Sequence, residues 1–258
     1  MSMDRKTFLK LGGCGLAAAV AGNKLAGLVQ IAGGQSAPGE KTLRASRWAM
    51  VIDTRKCQRA DGCDACIRAC HEAHNVPSIP DPRREIKWAW KDRFEHAFPE
   101  LETSPLPGDV RERQVLLLCN HCANPPCVRV CPTRATWKRQ SDGIVMMDWH
   151  RCIGCRYCVA ACPYGSRSFN WFDPRPYIRN MHAEYPTRTR GVVEKCTFCE
   201  ERLAEGRLPA CVEACPEKAL VFGDAADPNS EVSQLLREQF ALRRKPELGT
   251  EPQVFYLL

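Results

Sequence analysis

Cysteine spacing is the feature that most constrains what this chain can fold into. Of its 17 cysteines, 16 fall into four groups of four, and in every group three residues separate the last two. Proline follows groups two to four, and the third group has the run Cys-x2-Cys-x2-Cys-x3-Cys-Pro, which is typical of 4Fe-4S cluster sites. Groups one to four are Cys57, Cys63, Cys66 and Cys70; Cys119, Cys122, Cys127 and Cys131; Cys152, Cys155, Cys158 and Cys162; and Cys196, Cys199, Cys211 and Cys215. Because each such cluster takes four thiolates, the spacing predicts four 4Fe-4S clusters.

The last cysteine of each group is expected to bind a different cluster from the other three. It lies a helical turn further along and points away from its own group, so two groups form an interlocked pair that exchanges ligands. Ser141, Asp142 and Gly143 predict a hairpin between groups two and three. We therefore expect groups two and three to pair, and groups one and four to pair around them. Pairing of one with two and of three with four is the alternative.

This exchange predicts four ligand sets. Site I is Cys119, Cys122, Cys127 and Cys162; site II is Cys152, Cys155, Cys158 and Cys131; site III is Cys57, Cys63, Cys66 and Cys215; and site IV is Cys196, Cys199, Cys211 and Cys70. The crossing ligands are then Cys70, Cys131, Cys162 and Cys215.

Two other uses of cysteine compete with iron–sulfur binding. Paired Cys-x2-Cys segments also build zinc sites with four thiolates. However, groups one and three place three thiols within a few residues and a fourth three residues on, which suits a cubane better than two opposed knuckles. A disulfide framework is natural for a small exported chain, but 258 residues with 44% hydrophobic composition can form an ordinary core without such cross-links.

The N-terminus predicts an export signal over residues 1–34, followed by a polar linker over residues 35–47. Arg5, Lys6 and Lys10 precede an apolar run over residues 11–22. The segment resembles a twin-arginine signal in which Lys6 replaces the second arginine and Asp4 stands where serine or threonine is usual. That route carries folded cargo, as a protein loaded with clusters inside the cell requires. The signal predicts a periplasmic protein, and Cys14 belongs to it.

The remaining chain has no segment that approaches the roughly 18 apolar residues of a membrane span. We therefore expect a mature protein that is soluble or associates peripherally with the membrane. The formal net charge is +7, but no basic stripe alternates with stacking aromatics, so nucleic-acid binding is not expected. The basic residues beside the cysteine groups are expected to neutralise buried clusters: Arg129, Arg134, Arg151, Arg156, Lys195 and Arg202.

The predicted fold class is α+β, with two interlocked ferredoxin-like units and loop-rich insertions. Group one and its insertion occupy residues 48–118, the unit of groups two and three residues 119–165, and group four with a C-terminal helix residues 166–258. Strands are predicted at 48–53, 86–90, 113–118 and 219–222, a hairpin at 136–138 and 144–147, and a helix at 197–205.

The last helix is predicted to start with Asp227 as N-cap and Pro228 at its first position. Its apolar residues should dock on the core: Val232, Leu235, Leu236 and Phe240. Four tryptophans are expected to lie in the core that shields the clusters: Trp88, Trp90, Trp137 and Trp171. His71 and His74 are expected to be structural or surface residues, since group one already has four cysteines.

Residues 48–240 resemble the four-cluster electron-transfer subunits of membrane-linked respiratory oxidoreductases, the beta subunits of the dimethyl sulfoxide and polysulfide reductase type. The segments CNHCANPPCVRVCP at residues 119–132 and GDAADPNSEV at residues 223–232 carry the resemblance. Three further segments are similar to the periplasmic iron–sulfur subunits (DsrO) of the Dsr membrane complexes of sulfur-metabolising prokaryotes: WAMVID at 48–53, CIRACHEAHNVP at 66–77 and KWAWK at 87–91.

These resemblances imply a function and partners. The chain would relay single electrons between a quinone-interacting membrane subunit and a multihaem c-type cytochrome or other redox subunits, on the outer side of the membrane. A beta subunit of a molybdopterin reductase for polysulfide, thiosulfate or tetrathionate is the alternative. No catalytic residue is expected, because the sequence has no recognisable nucleophile–base pair, phosphate loop or flavin fingerprint.

Overall fold

The computed structural model describes residues 42–60, 62–101 and 105–258. The predicted export signal, Cys14 and the first part of the predicted linker lie outside the described residues. Across the described ranges, no helix combines the length and the apolar character needed to cross a membrane. The mixture of short helices and small sheets agrees with the predicted α+β class.

Short elements connected by loops make up the described chain. The strands are β1 (Trp48–Asp53), β2 (Ala89–Arg93), β3 (Gln114–Leu118), β4 (Thr136–Lys138), β5 (Val145–Met147), β6 (Ser168–Phe169), β7 (Val193–Glu194), β8 (Leu220–Asp224), β9 (Ala241–Leu242) and β10 (Val254–Leu257). The α-helices are α1 (Thr54–Cys57), α2 (Ala65–Ala73), α3 (Phe94–Ala97), α4 (Gly108–Glu112), α5 (Pro126–Arg129), α6 (Tyr157–Ala161), α7 (Glu200–Ala204), α8 (Ala210–Glu213) and α9 (Glu231–Glu238).

A four-stranded sheet with the order β8-β1-β10-β9 brings distant parts of the chain together. β1 runs parallel to β10 and antiparallel to β8, with Val51 opposite Phe255 and Val221. All six residues of β1 are buried, because the strand has neighbours on both sides and packing on both faces. Val51 packs with Val232 of α9 on one face, and Ile52 packs in the main core on the other.

Two helix pairs place the cysteine groups side by side. α2 in group one packs against α8 in group four, and α5 in group two packs against α6 in group three. The β4–β5 hairpin connects groups two and three, with Thr136 opposite Met147. This packing is what the pairing of one with four and of two with three requires.

The predicted strands agree with the structure to within two residues, except for the strand expected at 86–90, which begins only at Ala89. The residues just before Ala89 form hydrogen bonds with segments other than β3. The backbone N–H of Lys87 donates to Ser168 Oγ at 2.8 Å, and the indole N–H of Trp88 donates to Glu194 Oε2 at 2.9 Å. β10 was not predicted, because a short apolar C-terminus carries no signal for pairing with β1.

The last helix begins later than predicted. Asp227 does not cap it, because its Oδ1 accepts a hydrogen bond from the backbone N–H of Asn229 at 2.9 Å and so closes a turn. Ser230 is the N-cap, and its Oγ accepts from the backbone N–H of Ser233 at 3.1 Å. The helix therefore starts at Glu231.

The apolar face of this helix docks as predicted, with one exception. Val232 is fully buried, and Leu235 and Leu236 pack beside it. Phe240 is 80% exposed, because the helix ends at Glu238 and the helical spacing no longer applies.

The four tryptophans expected in the core divide into two pairs. Trp88 is buried and Trp90 packs against the main core. The prediction is wrong for Trp137 and Trp171, which are 37% and 46% exposed. Trp137 points outward from the β4–β5 hairpin, and Trp171 lies in a loop under the guanidinium of Arg156, with 4.7 Å between its ring centroid and the guanidinium carbon.

A buried ion pair joins the loop after group three to the end of α2. Arg188 Nε donates to Glu194 Oε2 at 2.6 Å, and neither side chain is exposed. The same guanidinium donates to the carbonyl oxygens of His74 and Asn75. Glu194 also accepts from Trp88. The pair therefore fixes three chain segments relative to one another.

Replacing Arg188 with methionine should destabilise the protein strongly. Glu194 would remain as a buried charge without its partner, which costs about 3–5 kcal/mol. The matched control is Arg175→Met, which breaks the exposed Arg175–Asp173 pair and should cost far less, because solvent screens that pair. Urea unfolding followed by circular dichroism measures both. Equal costs for the two variants would contradict the structural role of Arg188.

Candidate metal centres

Three thiols of group one converge with one thiol of group four. Cys57, Cys63, Cys66 and Cys215 line one cavity together with Leu116. The thiols of Cys57 and Cys66 each interact electrostatically with those of Cys63 and Cys215. Cys215 thus lies away from the other thiols of its own group, in the place expected for a crossing ligand of site III.

The set expected for site IV is the most deeply buried. Cys70 interacts electrostatically with Cys196, Cys199 and Cys211, and all four residues are buried. The pKa of the Cys70 thiol is raised, first by burial and then by these three thiols. Cys70 therefore joins the thiols of group four rather than those of group one.

Groups two and three exchange thiols in the same way. Cys122 interacts electrostatically with Cys119, Cys127 and Cys162, and Cys162 interacts with Cys119 and Cys127. Cys162 of group three therefore lies among the thiols of group two, as the set for site I requires.

The set expected for site II lies at a more exposed position. Cys158 is buried and interacts with Cys152, and Cys131 packs against the same small apolar cluster. Cys155 lies in the same loop and is partly exposed. The structure thus places Cys131 against the apolar cluster that contains Cys158 and also Cys127.

Thiols of different sets approach one another in a fixed order. The electrostatic contacts between sets are Cys66 with Cys70 and Cys211, Cys196 with Cys119, and Cys127 with Cys158. They join site III to site IV, site IV to site I, and site I to site II. These contacts connect the sets expected for the four sites in a linear order, with sites III and II at its ends.

Burial makes several thiols of sites I, III and IV poor acids. It raises the pKa of Cys66 to about 11 and the pKa values of Cys122 and Cys196 to about 12, with neighbouring thiols adding to the effect. Four adjacent negative sulfurs in such a place require a bound cation, because burial and mutual repulsion both favour the protonated form. Metal binding must therefore displace these protons.

The backbone beside the group four sulfurs adopts left-handed conformations. Phe198 and Cys199 have φ values of 57° and 52°, which is why the helix predicted at 197–205 begins only at Glu200. In this conformation the backbone N–H of Phe198 donates to Cys196 Sγ at 3.4 Å. The N–H of Ala210 donates in the same way to Cys199 Sγ. Such bonds stabilise negative charge on a ligating sulfur.

Gly154 holds the group three loop close to the rest of the chain. Its φ is 69°, and a Cβ atom there would lie 2.5 Å from the carbonyl oxygen of Gly191. The close approach places the loop that carries Cys152 and Cys155 directly against the segment leading to group four.

Two buried cations lie among the sulfurs. Arg167 Nη2 donates to Cys127 Sγ at 3.1 Å, and Lys195 Nζ donates to the carbonyl oxygen of Cys196 at 2.7 Å. Lys195 was predicted from its position beside a cysteine group, whereas Arg167 was missed, because four residues separate it from Cys162. The other predicted basic residues do not lie among the buried sulfurs. Arg129, Arg134, Arg151 and Arg156 are exposed, and Arg202 pairs with Glu213.

The histidines near the sulfurs make contacts within the fold, and for His71 and His74 a structural or surface role was expected. His71 Nε2 lies 3.1 Å from the carbonyl oxygen of Ala89. His74 is buried between the carbonyl oxygen of Cys70 and Glu201 Oε1, at 2.7 and 2.8 Å. His121 was not predicted: its ring stacks on Phe198 with 3.7 Å between centroids. Burial and nearby Lys195 hold its pKa well below the usual range, so this imidazole is neutral.

The thiols fit iron–sulfur clusters better than disulfides. All sixteen cysteines within the described ranges are free. Four thiols per site, N–H···S hydrogen bonds and buried cations match what a negatively charged cluster needs. Four thiols alone would also suit zinc, so the family of the chain decides between the metals.

Comparison with known proteins identifies that family. The model of the 4Fe-4S dicluster domain matches residues 114–175 and 176–225, which contain groups two, three and four. The "Hdr-like menaquinol oxidoreductase iron-sulfur subunit 1" of Archaeoglobus fulgidus is 40% identical over 98% of this chain and 97% of its own. The "Menaquinone reductase, iron-sulfur cluster-binding subunit" of Nitratidesulfovibrio vulgaris is 40% identical over 82% of this chain and 88% of its own.

A third relative is named for a different activity. A putative dimethyl sulfoxide reductase iron–sulfur subunit from Halobacterium salinarum is 38% identical over 82% of this chain and 79% of its own. Identity at this level over most of each chain, together with the dicluster match, shows that the chain belongs to the family of ferredoxin-type iron–sulfur electron-transfer subunits that includes these proteins.

Proposed function

We propose that this protein relays single electrons through four 4Fe-4S clusters between a quinone-interacting membrane subunit and other redox subunits of a respiratory complex. One observation carries the proposal: electrostatic contacts between thiols connect the sets expected for sites III, IV, I and II in that order. A linear series of metal sites suits transport between two ends rather than catalysis at one centre.

The chain's own residues perform three tasks in this function. When bound, 4Fe-4S clusters supply one-electron carriers whose potentials respond to charge, hydrogen bonds and burial. The sixteen cysteines would hold them, in the sets described for sites I to IV. The main core excludes water from the inner sets, and Arg167 and Lys195 place fixed positive charge beside them.

The ends of the series are the places where electrons would enter and leave. The cysteines of site IV are all buried, whereas Cys57, Cys63 and Cys215 of site III are partly exposed. At site II, Ile153 in the loop and Tyr157 at the start of α6 lie beside the ligands in sequence and are 66% and 62% exposed. Exposed apolar side chains around a metal site favour contact with a partner protein.

The similarity to menaquinol and menaquinone enzymes supports a quinone-interacting partner. The segments at 48–53, 66–77 and 87–91 favour a DsrO-type subunit in a complex of sulfur metabolism, with a multihaem cytochrome c among its partners. The predicted export signal favours a periplasmic position, with membrane association through the partners. The relative from Halobacterium salinarum favours the alternative, a beta subunit of a molybdopterin reductase.

The complex itself distinguishes these candidates. The full-length chain, purified from solubilised membranes of its source, should bring with it a polytopic membrane subunit and covalently bound c-type haem. Visible spectra and metal analysis of the purified complex are the measurements. Stoichiometric molybdenum without c-type haem would contradict the DsrO-type assignment and support the reductase.

Metal analysis tests the clusters directly. The anaerobically purified chain should contain about sixteen iron atoms and as many acid-labile sulfides, because four clusters of four are expected. A colourless protein that holds zinc instead would contradict the proposed function and favour a structural zinc protein.

Single cysteine variants test the crossed ligand sets. Cys131→Ser and Cys155→Ser should perturb the same cluster signal in electron paramagnetic resonance, because both residues belong to site II. Cys122→Ser should perturb a different signal, that of site I, and Cys14→Ser should leave all signals unchanged. If Cys131→Ser and Cys122→Ser altered the same signal, the exchange of ligands between groups two and three would be refuted.

A further inference from the structure

One guanidinium lies between two predicted cluster sites. Arg167 is only 4% exposed, and its Nη2 donates to Cys127 Sγ at 3.1 Å and to Thr136 Oγ1 at 2.8 Å. The guanidinium also interacts electrostatically with the thiol of Cys158. Cys127 belongs to site I and Cys158 to site II. The same positive charge therefore contacts ligands of two different sites.

The side chain of Lys195 places a buried ammonium group between the next two sites of the series. Lys195 is fully buried and interacts electrostatically with Cys119 and Cys127 of site I and with Cys196 of site IV. Its Nζ donates to the carbonyl oxygens of Val145 and Cys196. Lys195 thus lies between sites I and IV, as Arg167 lies between sites I and II.

Neither cation forms an ion pair with a carboxylate within the described part of the chain. A buried charge without a counter-charge is costly, so the sulfur sites themselves must supply the negative charge. Because arginine remains protonated in proteins, Arg167 holds its charge in every redox state.

We propose that Arg167 and Lys195 are positioning residues that raise the reduction potentials of the two sites each of them contacts. The inference rests on the proposed function. One added electron makes a cluster more negative, so a fixed positive charge nearby favours the reduced form. Electron transfer between bound clusters would leave Arg167 protonated, because a guanidinium does not lose its proton in proteins. Sites I, II and IV would therefore have higher reduction potentials than thiolate ligation alone would give them.

Two variants test this proposal even when it is not known beforehand which potential belongs to which site. Redox titrations followed by electron paramagnetic resonance would be recorded for Arg167→Met and Lys195→Met. Each should lower two of the four potentials, with about a tenfold change in the one-electron equilibrium constant, or about 59 mV. The two variants should share one lowered potential, that of site I, and neither should change that of site III.

Controls separate charge from general damage. Arg129→Gln removes an exposed charge from the α5 turn between Cys127 and Cys131 and should change the equilibrium constants less than about twofold, because solvent screens it. Arg167→Lys keeps the charge and should show smaller shifts than Arg167→Met. If Arg167→Met does not retain iron, Arg167→Gln, which also lacks the charge, gives the decisive titration.

Several outcomes would overturn the inference. Unchanged potentials, a shift of all four, or a shift of one alone in the Arg167 variant would each do so. The result is distinguishable from failure of the proposed function: a parent protein without about sixteen iron atoms contradicts the proposed function, whereas a loaded protein whose potentials ignore Arg167 contradicts only this inference.

Discussion

Gathering sixteen sulfur ligands into one small protein is the constraint on which the rest of the structure depends. Buried thiols resist ionisation, and adjacent thiolates repel one another. The fold meets this cost with positive groups inside the protein, namely backbone N–H groups aimed at sulfurs and the side chains of Arg167 and Lys195. Their placement, rather than the net charge of +7, matters for the sites.

The crossing cysteines and the sheet act together. Cys215 meets the thiols of group one because β8, which follows it, pairs with β1, which precedes Cys57. The same sheet takes in the end of the chain as β10. Arg188 and Glu194 then fix the loops between the two pairs of groups. Long-range pairing of strands thus positions groups that lie far apart in sequence.

Much of the site could be predicted because the cysteine pattern is local and tightly spaced. The strands that enter groups one and two and the hairpin were predicted for the same reason: their apolar residues and turn signals lie within a few positions. Predictions failed where a longer-range contact decided. Asp227 closes a turn while Ser230 caps the helix. Trp137 and Trp171 remain exposed because Trp137 points outward from the hairpin and Trp171 lies in a surface loop.

The sequence by itself determined the chemistry of the ligands, their division into four groups, the α+β class and the family resemblance, because all of these depend on residue types at short spacing. Only the tertiary structure decided that the sets follow one another as III, IV, I and II, and that Arg167 lies between two of them. The physical reason is that burial and electrostatic proximity depend on how distant segments pack, and no local pattern around Arg167 records that its charge contacts Cys127 and Cys158.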